Sequence, residues 1–370
     1  MKLLITGGHH TSALPVIGLL KKEHLDVEIF WVGHKHTSKG DKNPTLEFID
    51  ITKLNIPFFN LHAGKFYKTY DPIRLAKIPF GFVHALYLLL KIKPDMILSF
   101  GGYLAVPIVI VGKLLGIPSI THEQTVVVGL ANKVISRFAN KILISWPQSE
   151  KYFPTQKTVL TGLPLRAEIF NSTSNTFEIN SNLHTVYITA GKTGSHKINT
   201  VIGEALPELL KFVNVIHQCG DNSVFNDFTL LEKRYEEIKS EAQGKYILRK
   251  FVLKDEIGEA FQKADFIFIR GGAHTVLEAI ALKKPAIVVP IPWVSHNEQF
   301  KNAQVLNEVG LGYLIEEKNL TKATVLTAIK ELESNINFYK LKDDRYHDLL
   351  NRDPAKLIVD EIFKNTKKKY

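Results

Sequence analysis

Short apolar runs alternate with helix-like stretches through the first half of this chain: KLLIT, DVEIFWVG, MILSFGG, PSITHE and KILIS, with amphipathic segments such as 79–92 and 103–115 between them. A run of that length closed by glycine or polar residues reads as a strand buried on both faces, and strands separated by helices pair in parallel. The pattern predicts an α/β fold, an open parallel sheet with helices on both sides. It then restarts. Residues 171–182, NSTSNTFEINSN, are polar, and beyond them TVYITAG, VNVIHQCG, YILRKF, FIFIRGG and PAIVVPIP again alternate with helical stretches. Two Rossmann-like halves are expected, joined near Thr161 to Arg166. Ligands of such sheets lie where strand carboxyl ends meet helix amino ends, and a cleft between two such domains suits a nucleotide.

The length of 370 residues, 45% of them hydrophobic, also exceeds what one core usually organises. A formal net charge of +10 favours anionic partners, whether phosphate-rich ligands, nucleic acid or an anionic membrane. The single cysteine, Cys219, excludes an internal disulfide and a cysteine-based zinc site and suits a reducing compartment. MKLLITGG holds too few apolar residues before its glycines for a secretion signal, and no run reaches the roughly 18 apolar residues of a spanning helix. A cytoplasmic protein is expected, and the terminal NTKKKY reads as a solvated tail.

Three regions carry candidate chemistry. ITGGHHTSALP, residues 5–15, places Gly7 and Gly8 after the first strand, with Thr11 or Ser12 positioned to cap a helix in which Pro15 lies early. SFGGYLAVP (99–107) and GIPSITHEQ (116–124) likewise put glycine and polar residues after strands. His122, Glu123 and Gln124 could orient a sugar, supply acid–base chemistry, or simply bind backbone. The most specific stretch is IRGGAHTVLEAIALKKPAIVVPIPWVSHNEQFKNAQVL, residues 269–306. A strand ends at Arg270, a GGA turn opens a helix, and Glu278 follows inside it. Free N–H groups at such a helix start can hold a diphosphate, a carboxylate further along can bind ribose hydroxyls, and amides in the next loop can read a sugar.

This stretch resembles the signature of glycosyltransferase family 28, whose members have the GT-B fold, two Rossmann-like domains facing each other across a cleft. The resemblance is to the MurG-like UDP-N-acetylglucosamine transferases in particular. It extends in the same order to FGGYLAVP, GIPSITHEQTVVVGLANK, TGLPLR and NEQFKNA, covering residues 3 to 315. It implies an acceptor and membrane-associated domain over residues 1–163, a UDP-sugar-binding domain over 164–345, and a helix with a lysine-rich tail over 346–370. It implies an inverting transfer of N-acetylglucosamine (GlcNAc) from UDP-GlcNAc to a polyprenyl-diphosphate-linked acceptor, the lipid I to lipid II step of peptidoglycan synthesis, with no cofactor and no obligatory metal.

By motif position the UDP-sugar contacts fall to Arg166, to Gly191, Thr193, Gly194 and Ser195 in AGKTGS, to Gly272, Ala273, His274 and Thr275, to Glu278 for ribose, and to Glu298, Gln299 and Asn302 for the sugar. The acceptor pocket falls to Gly7, Gly8, Ser12, Tyr103, His122, Gln124 and Thr125. Three departures stand out. The family's first loop, GGTGGH, carries the usual candidate base where this chain has Ser12, while His9 and His10 lie earlier in the loop. Its HEQN is HEQT here, with Thr125, and its GGSQGA is AGKTGS. A neutral imidazole takes a proton near pH 7 and an unassisted serine does not, so His10 or His9 is the expected base, ahead of Glu123. A structural loop role accounts for the two histidines equally well.

Residues 65–95 mix Lys65, Lys68, Arg74, Lys77, Lys91 and Lys93 with Phe80, Phe82, Leu86, Tyr87 and Leu90. An apolar face rimmed by bases suits an anionic leaflet, so peripheral docking on the inner face of the cell membrane is expected. Competing readings are another lipid-acceptor glycosyltransferase, a UDP-GlcNAc 2-epimerase, and a non-catalytic sugar-nucleotide-binding or membrane-recruiting protein. No recognition motif supports nucleic acid as a partner.

Overall fold

The computed structural model describes residues 1–36, 44–64, 72–222, 224–342 and 352–366, without the side chains of 72–77 and 295. The chain divides into two units, Met1–Leu165 with Leu349–Tyr370, and Arg166–Asp348.

The first unit runs β1 (Lys2–Thr6), α1 (His10–Glu23), β2 (Glu28–Gly33), α2 (Leu46–Lys53), β3 (Phe58–Asn60), α3 (Pro72–Ile92), β4 (Met96–Ser99), α4 (Ala105–Leu114), β5 (Ser119–Glu123), α5 (Leu130–Phe138), β6 (Lys141–Ile144) and β7 (Thr158–Leu160). The strands pair in parallel in the order β3-β2-β1-β4-β5-β6-β7. Alternate residues feed opposite cores. Leu3, Ile5 and Leu98 pack on α1, while Leu4 and Ile97 pack on α3 and α4. Both faces are covered, so the strands read as unbroken apolar runs. The second unit runs β8 (His184–Thr189), α6 (His196–Leu209), β9 (Val213–Gln218), α7 (Asp227–Ile238), β10 (Tyr246–Arg249), α8 (Ile257–Lys263), β11 (Phe266–Ile269), α9 (Ala273–Ala281), β12 (Ala286–Val288), α10 (Glu298–Glu308), β13 (Gly312–Leu314) and α11 (Lys322–Ser334). Its parallel order is β10-β9-β8-β11-β12-β13. The last helix, α12 (Pro354–Asn365), returns to the first unit, where Ile358, Val359 and Ile362 join the core against α1.

Both sheets step outward from their first strand in one direction and then, after a crossover, in the other. This places topological switch points between β1 and β4 and between β8 and β11, the positions where parallel sheets bind ligands. Three short strands, β3, β7 and β13, lie at sheet edges and carry too few residues to register as apolar runs. Capping of α1 differs from expectation. The helix begins at His10, with His9 at its N-cap making no side-chain cap, and Pro15 lies inside it. Among the described residues no helix is long and apolar enough to cross a membrane.

Polar residues 171–182 are anchored rather than loose. The Glu259 carboxylate accepts hydrogen bonds from Ser174 Oγ (2.6 Å) and from the N–H groups of Thr176 (2.8 Å) and Phe177 (2.9 Å). Phe177 is buried.

Candidate active site

At the first switch point the loops after β1 and β4 touch through glycine. Gly7 has φ 140°, and a Cβ there would lie 2.8 Å from the Phe100 backbone. Gly8 N–H donates to Gly101 O at 3.1 Å. The amino end of α1 rises from this contact, with His9 at its N-cap making no side-chain cap. His9 is exposed, yet desolvation by the protein around the loop, and then the neighbouring His10, push its pKa below the ordinary value and keep it neutral. His10 turns toward α2, its Nε2 lying 3.0 Å from Asp50 Oδ2. Ser12, expected among the acceptor contacts, is fully buried in the first turn of α1, so its side chain cannot meet an acceptor.

The loop after β5 is organised around Glu123, which is buried. Its Oε1 accepts from Thr125 N–H (3.1 Å) and lies 2.9 Å from Thr125 Oγ1. Its Oε2 accepts from Gly129 N–H (3.2 Å), at the start of α5, and from Asn132 Nδ2 (3.0 Å). Burial pushes its pKa up against these donors. The two backbone N–H groups and the Asn132 amide present hydrogens, while the Thr125 hydroxyl, which also lies 2.5 Å from Val127 O, has only one to give, so the carboxyl group is engaged in holding its own loop. His122 Nε2 donates to Gly162 O at 2.9 Å. Burial above all, and the charge of His9, lower its pKa to about 4. Its Nδ1 is buried without a partner, as is Gln124 Nε2. Tyr103, from the loop after β4, lies with its hydroxyl 2.6 Å from His34 Nε2.

At the second switch point the loop 190–195 links β8 to α6. Gly194 has φ 68°, and a Cβ there would lie 1.8 Å from Cys219 O. Gln218 Nε2 donates to Gly191 O at 3.0 Å, and Ser195 caps α6. Arg270, directly after β11, is an organiser that sequence reasoning noted only as the end of a strand and gave no role. Its Nη2 donates to Ser195 Oγ (2.6 Å) and Glu317 Oε1 (2.8 Å), and its Nη1 to Val289 O (3.0 Å). A strand-ending arginine beside the GGA turn was the available signal. Gly272 is the N-cap of α9 and supplies no side-chain cap; backbone N–H groups at a helix start suit an anion. Ala273, His274 and Thr275 form its first turn.

Asn302 Nδ2 donates to Gly271 O at 3.0 Å, and Gln299 Oε1 accepts from Ile291 N–H at 3.0 Å. The amide-rich loop is thereby tied to the turn before α9. Glu298 and Gln299 open α10 after two left-handed residues, His296 and Asn297. Glu278 is buried and held by Arg166 through Nε (2.8 Å) and Nη2 (3.2 Å). Desolvation lowers the arginine, and the charge and hydrogen bonds of Glu278 more than reverse this; burial raises Glu278 while Arg166 draws it down. The geometry is that of a bidentate, charge-assisted pair, in which burial leaves the Glu278 carboxyl above its ordinary value. Among the described residues no group of three His, Cys, Asp or Glu side chains could hold a metal ion.

Residues 6–144 match the glycosyltransferase family 28 N-terminal domain and residues 185–361 its C-terminal domain. The UDP-N-acetylglucosamine--N-acetylmuramyl-(pentapeptide) pyrophosphoryl-undecaprenol N-acetylglucosamine transferase of Clostridium perfringens is 31% identical over 353 residues, 91% of this chain and 92% of that one. A second enzyme of that name from Bacillus cereus is 28% identical over 94% of this chain and 95% of its own length. The crystal structure of Acinetobacter baumannii MurG shares the fold, with a TM-score of 0.72 and 23% identity over 98% of this chain and 99% of that one. Both switch points, with their glycine turns, thus fall within matched domains, and the chain belongs to glycosyltransferase family 28.

Proposed function

We propose that this protein transfers GlcNAc from UDP-GlcNAc to a polyprenyl-diphosphate-linked acceptor, the lipid I to lipid II step, at the inner face of the cell membrane. The observation that carries the reading is the glycine-capped amino end of α9 with Glu278 inside the helix and Arg166 clamped to it, in the domain this family matches. The helix-end N–H groups and the arginine offset the charge of the departing UDP, and Glu278 receives the ribose hydroxyls. The loops 190–195 and 297–302 complete the donor pocket.

The acceptor sugar lies against the loops carrying Gly7, Gly8, Tyr103, His122 and Gln124. Its hydroxyl loses a proton as it attacks the anomeric carbon, and inversion follows from this single displacement. His9 takes that proton. Its pKa is lowered and, among the described residues, it carries no hydrogen bond that would divert it, whereas His10 is committed to Asp50. Docking falls to α3, which exposes Phe80, Val83, Leu86, Tyr87 and Leu90 beside Lys91. Lys65 and Lys68 lie outside the described residues, as do the side chains of Arg74 and Lys77.

The test is UDP release from several UDP-sugars with lipid I and with simpler lipid acceptors. Turnover with UDP-GlcNAc and lipid I is expected. Turnover only with another lipid acceptor would assign a different member of the fold, which the altered first loop favours; tight UDP-sugar binding without turnover on any acceptor would overturn the enzyme reading.

A further inference from the structure

Two histidines lie apart from the residues used so far, and a third, His34, has appeared only as the partner of Tyr103. His34 follows β2, His62 follows β3, and His84 lies on α3 among the exposed apolar residues, its ring 6.1 Å from Phe80 and 6.3 Å from Tyr87. They are linked in series. His34 Nε2 meets the Tyr103 hydroxyl of the acceptor loop, and Asn60, whose Oδ1 accepts from the N–H of the next residue, Lys35, places its amide nitrogen 3.1 Å from His62 Nε2. The His62 backbone N–H donates to His84 Nδ1 at 3.2 Å, and the two rings stack at 5.5 Å with 14° between planes.

These contacts fix the protons. A nitrogen that accepts from Asn60 or from a backbone N–H is unprotonated, so the hydrogen sits on the opposite nitrogen of each ring, His62 Nδ1 and His84 Nε2. Two stacked imidazoles therefore present N–H donors beside one another, His62 at an exposed position. Burial, and then the proximity of His62, push the pKa of His34 and of His84 down, so these two rings act as neutral hydrogen-bonding groups. Lys91, 5.9 Å over the Tyr87 ring, adds a fixed positive charge. The carboxylate facing this group is Glu47, already engaged by Trp31 Nε1 at 2.6 Å and by the His34 backbone.

A polyprenyl-diphosphate-linked sugar is built in the order apolar tail, diphosphate, sugar. The protein presents exposed apolar side chains of α3, then the imidazoles, then Tyr103 and the glycine loops. We infer that His62 and His84, backed by His34, bind the diphosphate of the lipid-linked acceptor. This rests on the acceptor reading above and adds to it a site for the charged joint between lipid and sugar.

The test uses the full chain and two readouts. In the first, geranyl diphosphate is titrated while the imidazole ring protons are followed by NMR. It is expected to shift His62 and His84, with inorganic phosphate at equal concentration producing little. The shifts should be lost in His84→Phe, which keeps the stack and removes the N–H, and largely kept in His84→Gln, which retains one. In the second, His84→Phe should raise the KM for lipid acceptor about tenfold while kcat and the KM for UDP-GlcNAc stay within about twofold, and binding to phosphatidylglycerol vesicles should be unchanged. Unmoved imidazole protons, or an acceptor KM equal to wild type, would overturn the site. Shifts with phosphatidylglycerol vesicles and none with geranyl diphosphate would overturn it in favour of a headgroup contact. Failure of the acceptor reading looks different, since wild type would then turn over no lipid acceptor whatever the imidazoles bind.

Discussion

Arg166 grips the Glu278 carboxylate with two hydrogen bonds, 2.8 and 3.2 Å long, across 112 residues of chain. One residue opens the second unit and the other lies inside α9, behind its glycine-capped amino end. The pair joins the segment after β7 to the helix assigned to the diphosphate and ribose. Arg166→Lys removes the bidentate grip, because an ammonium has no planar fork. We expect the KM for UDP-GlcNAc to rise about tenfold with the acceptor KM unchanged, measured by initial rates of UDP release. An unchanged donor KM would separate the pair from the nucleotide.

His9 and His10 should behave unequally. His9→Ala is expected to lower kcat by about 10²–10⁴-fold and His10→Ala by far less. The base works when neutral, and the pKa of His9 lies below 6.5. Activity should therefore be full at neutral pH and fall as pH drops through that lowered value. The acid limb of kcat/KM should disappear in the His9→Ala residual activity. Equal losses in the two variants would return the assignment to both histidines.

Glu259 ties residues 174–177 to α8, and its pKa is brought down to about 2 by Ser174, Thr176, Lys263 and Phe177 in opposition to desolvation. A carboxylate depressed on folding stabilises above its unfolded value, near 4.5, and loses that contribution as pH falls through the folded value. Glu259→Gln should destabilise by about 2–3 kcal/mol at pH 7. The difference from wild type should shrink between pH 5 and 2, followed by chemical denaturation across that range.

Gly194→Ala should damage both fold and donor site. The new methyl meets Cys219 O, and φ 68° disfavours any side chain. We expect a loss of about 2 kcal/mol or more and weaker UDP binding, read by thermal unfolding with and without UDP. Stability equal to wild type would mean the loop moves aside freely.

Charging the exposed face of α3 tests docking. Val83→Glu with Leu90→Glu places two acids where 65% and 54% of the native side chains are exposed. Binding to phosphatidylglycerol vesicles should fall at least about tenfold, while turnover of a soluble acceptor analogue is retained. Full vesicle binding would exclude this face.

Much of the fold was legible because burial leaves a local trace. Strands covered on both faces must be apolar throughout, so β1, β4, β8 and β11 stand out as runs. The edge strands β3, β7 and β13 did not, since three residues give no period. The start of α1 was misplaced by the usual preference of proline for a first turn, which the packing of Ala13, Val16 and Ile17 overrides. Glu123 reads as a base in sequence because acids near glycine loops often are. Only its surroundings, with donors from Thr125, Gly129 and Asn132, show a residue spent on its own loop.

Sequence alone thus determined the alternation of strand and helix, the glycine turns after the strands, and the motifs that place the chain in its family. Each is set within a few residues by period or backbone freedom. Tertiary structure decided which side chains meet: Arg166 with Glu278, Arg270 with Ser195 and Glu317, His10 with Asp50, and His62 with His84. Those pairings depend on strand order in the sheets. Parallel crossovers bring together residues far apart in the chain, and no local pattern encodes the partner.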